Sequence, residues 1–129
     1  MTIEETIDLL TAAAAFDRRT VGKADAVAWH AAIGDLGLDD CRTAVIGHYT
    51  DGTDWLMPAH VRQRVQRIRN RRLDRASIPA PPPELVDDWP AYQAALHAAR
   101  VAAADGRDPG DASQAVANPA RLRIEAPRD

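Results

Sequence analysis

The chain reads as an all-α protein: a compact bundle of about four helices, a proline-rich spacer, a fifth amphipathic helix and a tail. Three observations predict this class. Apolar residues recur at three- and four-residue intervals in five segments. Those segments begin and end at residues that cap helices. No segment sustains two-residue alternation; residues 43–49 are the one ambiguous stretch, and the aspartates before them favour a helix.

The first helix is expected over about 3–15. Thr2 and Glu5 have the spacing of a capping box, and Ile3, Ile7, Leu10 and Ala14 follow as a stripe. Residues 16–22 form a polar connection. A second helix over about 23–35 carries Val27, His30, Ala31 and Gly34 on one stripe, with Trp29, Ile33 and Leu36 beside it. Gly34 and Gly37 punctuate its end. Asp39 or Asp40 is the expected cap of a third helix, about 40–49, with Cys41, Ala44, Val45 and His48 inward. A turn follows at 50–54. Pro58 suits the first position of a fourth helix, about 58–76, because it lacks an N–H that would be unpaired there. Val61, Val65, Ile68 and Leu73 line one side of it. Trp29, Trp55, Val61, Val65 and Ile68 are expected in one core.

The domain boundary is expected at residues 77–83, where Pro79, Pro81, Pro82 and Pro83 favour an extended spacer. An amphipathic segment at 84–105 contains the fifth helix, about 89–105, ended by Gly106. Residues 106–129 are poor in large apolar side chains, and disorder is expected there.

Composition excludes several classes. No apolar run approaches the roughly 18 residues of a membrane span. Met1 to Leu10 holds three acids and no base, unlike a signal peptide. A single cysteine, Cys41, excludes an intramolecular disulfide and a multi-cysteine zinc site. A cytoplasmic protein is expected. No Walker loop and no dinucleotide fingerprint occurs. The four histidines lack metal-ligand spacing. No cofactor, no metal and no enzymatic activity are expected.

Charge is segregated. Residues 1–57 hold ten acids and four bases, residues 58–76 seven arginines and Asp74, and residues 77–129 eight acids and five bases. The arginine helix presents Arg62, Arg64, Arg67, Arg69, Arg71 and Arg75 as candidate contacts to nucleic acid or an acidic partner. A solvated face paired with the acids of 1–57 accounts for them equally well. The second candidate surface is Leu85, Trp89, Tyr92 and Leu96, a helical stripe of the kind that docks in a partner's groove. The same stripe could instead pack back on the bundle.

The ordered pattern of Trp29 to Leu36, Asp39 and Asp40 with Ala44-Val45 and His48-Tyr49, then Met57-Pro58, Val61 and an arginine-rich helix resembles the small phage replicative helicase loaders and loader-inhibitors. The resemblance covers about residues 3–76. It implies a non-ATPase adaptor with a helical N-terminal domain, bound to a hexameric DnaB-type helicase and working with a replication initiator or DNA. It also implies a helicase contact in the C-terminal part. The alternatives are a helical DNA-binding regulator using the arginine helix, and a host-takeover interaction module.

Overall fold

The computed structural model describes residues 1–119. Its elements are α1 (Ile3–Asp17), α2 (Lys23–Ile33), α3 (Leu38–Asp51), α4 (Pro58–Arg75), a 3₁₀ turn (Pro83–Leu85), α5 (Trp89–Ala104) and α6 (Pro109–Ala117). No strand occurs among the described residues. The chain divides into two compact units, Met1–Ile68 and a second beginning at Arg69. The division falls inside α4, and the residues after Ile68 group with the helices that follow.

The first unit is built on α1, α2, α3 and the first turns of α4. Thr2 caps α1 as expected: its hydroxyl accepts from the Glu5 N–H, and the Glu5 carboxylate accepts from the Thr2 N–H at 2.8 Å. That backbone hydrogen bond holds the Glu5 carboxyl below its ordinary range. The buried face of α1 is Thr6, Leu9, Leu10 and Ala13. Ile3 and Ile7, expected inward, are exposed. A stripe drawn one residue off rotates by about 100°, enough to exchange the two faces. In the same way Ala26, Trp29 and Ile33 are the buried residues of α2, and Val27 faces out.

Gly37, not an aspartate, precedes α3, and Asp39 and Asp40 lie in its first turn. Carboxylates there oppose the partial positive charge of the helix N-terminus. The inner face of α3 is Cys41, Ala44, Val45 and His48, as the sequence predicts. Met57 precedes α4 and Pro58 begins it; His60 Nδ1 accepts from the Met57 N–H at 2.9 Å. This is the role that glutamate usually fills in a capping box. Leu56, Val61 and Val65 complete the core. Gly34 closes α2 beneath the His30 ring; a Cβ there would stand 2.4 Å from the His30 carbonyl oxygen, so no larger residue fits without a shift.

The second unit packs α5 against α6. The buried residues of α5 are Ala95, Ala99, Ala102, Ala103 and Ala104, and that of α6 is Ser113. Small side chains let two backbones approach closely, which offsets the scarcity of large apolar residues at this contact. Asp88 and Asp108 cap α5 and α6, each accepting from a backbone N–H three residues on. Gly106 follows α5 with φ +78°. Its N–H bonds to the Ala103 carbonyl, and that of Arg107 to Ala102, the two bonds of a Schellman ending.

Helix α6 corrects the expectation of disorder from residue 106. Asp108-Pro109 supplies a cap and a first-turn proline, and α5 supplies the packing surface. The remainder of that expectation, 120–129, lies outside the described residues. Pro81 and Pro82 are buried, so the proline segment is not a freely solvated spacer.

Ala99 is fully buried at this close helix pair. Ala99→Leu is expected to destabilise the protein by about 1–3 kcal/mol through overpacking. Urea denaturation followed by far-UV circular dichroism measures it; a change under about 0.5 kcal/mol would show that α5 has room at Ala99.

Candidate functional site

Arg18 leaves α1 in the left-handed conformation, φ 57°. The turn sets Asp17 and Arg19 side by side. Arg19 Nε and Nη2 both bond the Asp17 carboxylate, the shortest contact being 2.6 Å. Arg19 Nη2 also donates to the Leu56 carbonyl at 2.8 Å, and Nη1 takes part in none of these bonds. Tyr49, near the end of α3, donates its hydroxyl to Asp17 and accepts from the Leu56 N–H. One carboxylate, one guanidinium and one phenol thus join the end of α1, the end of α3 and the segment leading to α4.

Both members of the ion pair are enclosed, with Arg19 and Asp17 side chains 8% and 6% exposed. Burial alone would raise the Asp17 carboxyl; the hydrogen bonds from Arg19 and Tyr49 outweigh it and hold it below the usual carboxylate range. Burial likewise lowers Arg19, and bonding to Asp17 outweighs that and raises it. Burial, then the bond to Asp17, raises the Tyr49 phenol.

The Arg19 guanidinium carbon lies over two indoles, 5.3 Å from the Trp29 ring centroid and 4.4 Å from that of Trp55. Trp29 is buried as expected. Trp55, expected in the core, is 52% exposed, because one face rests on Arg19 and not on apolar neighbours. A cleft of about 480 Å³ opens beside the pair, lined by Leu10, Arg18, Arg19, Trp29, Trp55 and Met57 among others. In the sequence, residues 16–22 read as a polar connection. The partners of Arg19 and Asp17 stand 32 to 37 positions away, beyond any local spacing.

A second, smaller cleft of about 250 Å³ includes His48, His60, Arg64 and Arg67. The imidazoles of His48 and His60 lie 4.6 Å apart. His48 Nε2 donates to the Asp54 carbonyl at 2.6 Å. Among the described residues no group of three metal-ligating side chains occurs. Cys41 is completely buried, and burial, then Asp40, pushes its thiol up to about 11. It is a small core residue without thiolate character.

The arginines of α4 do not act as one surface. Arg62 pairs with Asp35 at 2.6 Å and donates to the Ala32 carbonyl. Arg64 pairs with Asp51 at 3.0 Å, and Arg69 with Asp105. The bond from Arg62 holds Asp35 below its ordinary range. Arg67, Arg71 and Arg75 point outward.

The stripe on α5 is also divided. Leu85 is buried in the 3₁₀ turn and is not part of an exposed face. Trp89 is 66% exposed and stacks on Tyr92, with centroids 5.7 Å apart and planes 8° from parallel. Tyr92 and Leu96 are half-buried, and Val86 is exposed beside them in sequence.

Arg19→Ala removes one partner of an enclosed pair and is expected to cost about 3–5 kcal/mol. A loss below about 1 kcal/mol in urea denaturation would mean that Asp17 is well served by Tyr49 alone. The depressed Asp17 carboxyl makes a second prediction. The unfolded chain takes up the proton first, near an ordinary aspartate value of about 3.9. The contribution of Asp17 is therefore complete above that pH and is lost as pH falls further toward its folded value. An acid titration by circular dichroism should show Asp17→Asn with a shallower pH dependence below about pH 4; an identical profile would refute this.

Comparison of the chain with family models, with curated proteins and with solved structures finds no match in any of the three.

Proposed function

We propose that the protein is a non-enzymatic adaptor that binds a hexameric DnaB-type replicative helicase through the exposed aromatic face of α5. The observation that carries the reading is the stacked Trp89–Tyr92 pair, with most of the Trp89 indole in solvent. The alanine face of α5 is occupied within its own unit, so the aromatic face is the one left for a partner. Tryptophan and tyrosine are frequent anchors of binding energy, and a stacked pair holds both rings in place before contact. A helix offering such anchors suits a hydrophobic groove.

The resemblance of residues 3–76 to helicase loaders and loader-inhibitors supplies the partner. The DNA-binding regulator has less support. Arg62, Arg64 and Arg69 are committed to carboxylates, leaving fewer free cations for phosphates. The connection between α3 and α4 also runs from residue 52 to 57, longer than the three or four residues of a helix-turn-helix.

The test is size-exclusion chromatography with light scattering on the protein mixed with a DnaB-type helicase, followed by titration. Trp89→Ala should weaken binding by about thirtyfold, the loss expected of a hot-spot tryptophan. Unchanged affinity would remove α5 as the docking element. Failure of the wild-type protein to co-elute would remove the helicase as partner.

A further inference from the structure

The cleft beside Arg19 is not used by the adaptor reading, and its lining has a definite chemistry. It combines a flat aromatic surface, two cations and a hydrogen-bond acceptor within the first unit. Trp55 is half exposed although its inner face lies over Arg19. Its position is therefore fixed from below while its surface stays open to a ligand. Arg19 is more than nine-tenths buried and is held by Asp17 and Leu56 through Nε and Nη2. Its Nη1 is outside those bonds, on a residue that lines the cleft. Arg18 adds an exposed guanidinium and Thr20 a hydroxyl. Asp25 accepts from the Gly22 N–H through Oδ2, and its other oxygen stands outside that bond.

We propose that this cleft binds one nucleotide of a single-stranded nucleic acid, with its base on Trp55 and its flanking phosphates at Arg18 and Arg19 Nη1. Every base has a π-face, and stacking on an aromatic side chain is an established source of affinity for single strands. A volume of about 480 Å³ falls in the usual range for a site that takes a small molecule. Asp25 complements an exocyclic amine, the group that cytosine offers to a carboxylate. An acidic peptide would match the cations, and its backbone N–H groups would serve this acceptor, but its carboxylate side chains would leave the open indole face unused.

The charge of the unit sets the size of the contact. Residues 1–68 hold ten acids against seven bases. A long polyanion is disfavoured there, while one nucleotide needs only Arg18 and Arg19 for its two phosphates, with Asp25 left to the base and Asp17 already bonded to Arg19. The salt dependence should accordingly be shallow. Two phosphate contacts on a single strand imply a slope of about −1.4 in log K against log salt, whereas six arginines of α4 would imply about −4.

The experiment is fluorescence anisotropy of a labelled deoxycytidine octamer titrated with the full chain at low salt. The expected result is saturable binding with the shallow slope. Trp55→Ala and Arg18→Glu should each weaken it about tenfold or more, and Trp89→Ala should leave it unchanged. An abasic octamer of equal charge should bind about tenfold or more weaker than the deoxycytidine strand. Absence of binding, equal binding of the abasic strand, or a slope near −4 overturns the proposal. Loss with Trp89→Ala in place of Trp55→Ala also overturns it, and separates this site from the helicase contact. Deoxycytidine 5′-monophosphate binding as tightly as the octamer overturns the single strand as the source. Circular dichroism checks each variant. If Trp55→Ala does not fold, the exposed Arg18→Glu variant decides: a tenfold loss supports the site, and unchanged binding overturns it.

Discussion

Arg19 is the residue around which the first unit is organised. Its guanidinium lies over Trp29 and Trp55, bonds Asp17 through two nitrogens, and reaches the backbone at Leu56. An arginine without these partners would not stay out of water, since an isolated buried charge costs several kcal/mol. The need to satisfy this one cation therefore fixes three things together: the turn after α1, the phenol of α3 and the lead-in to α4. Arginine does this where lysine would not. Its planar fork presents fixed donors to a carboxylate while its faces remain free for aromatic rings.

The same arrangement explains the unequal fates of the tryptophans. Trp29 covers the apolar core from one side and is buried with Leu9, Leu10 and Ile33. Trp55 belongs to a segment that has just left α3, and its ring meets a guanidinium where the core would otherwise have been. A cation over an indole is stabilised by about 0.5–2 kcal/mol according to its exposure. That is enough to position the ring, and its outer face remains open. The resulting cleft is thus a by-product of how the core is closed, and the Arg19 guanidinium that lines it is held in place by Asp17 and Leu56.

The second unit solves the problem of a small core differently. Among its described residues no cluster of leucines or valines is buried, and α5 and α6 meet through alanine and Ser113. Close approach of two backbones yields dispersion contacts in place of large side-chain burial. Because alanine fills the interface, the aromatic residues of α5 are not needed for it. The exposed Trp89 stacks on the half-buried Tyr92, and Arg69 pairs with Asp105 at the end of α5. Burial raises the Asp105 carboxyl, yet the hydrogen bonds from Arg69 and Arg107 overcome it and lower it.

What the sequence determined by itself is the set of features governed by neighbours within one or two helical turns. The Thr2–Glu5 capping box, the Pro58 start and the Gly106 ending arise from contacts three to five residues apart, and the inner face of α3 was legible in the spacing of its apolar residues. The aromatic pair on α5 was legible for the same reason. The tertiary structure decided everything that depends on a distant partner. Ile3 and Ile7 face outward because Thr6, Leu9, Leu10 and Ala13 meet the other helices better. Residues 109–117 form a helix because α5 offers them a surface, although Asp108-Pro109 was a readable start signal. Three arginines of α4 are spent on carboxylates 13 to 36 residues away. The cleft is the clearest case: Asp17, Tyr49 and Leu56 meet Arg19 only after the chain has folded, and periodicity carries no information about charges that pair across such separations.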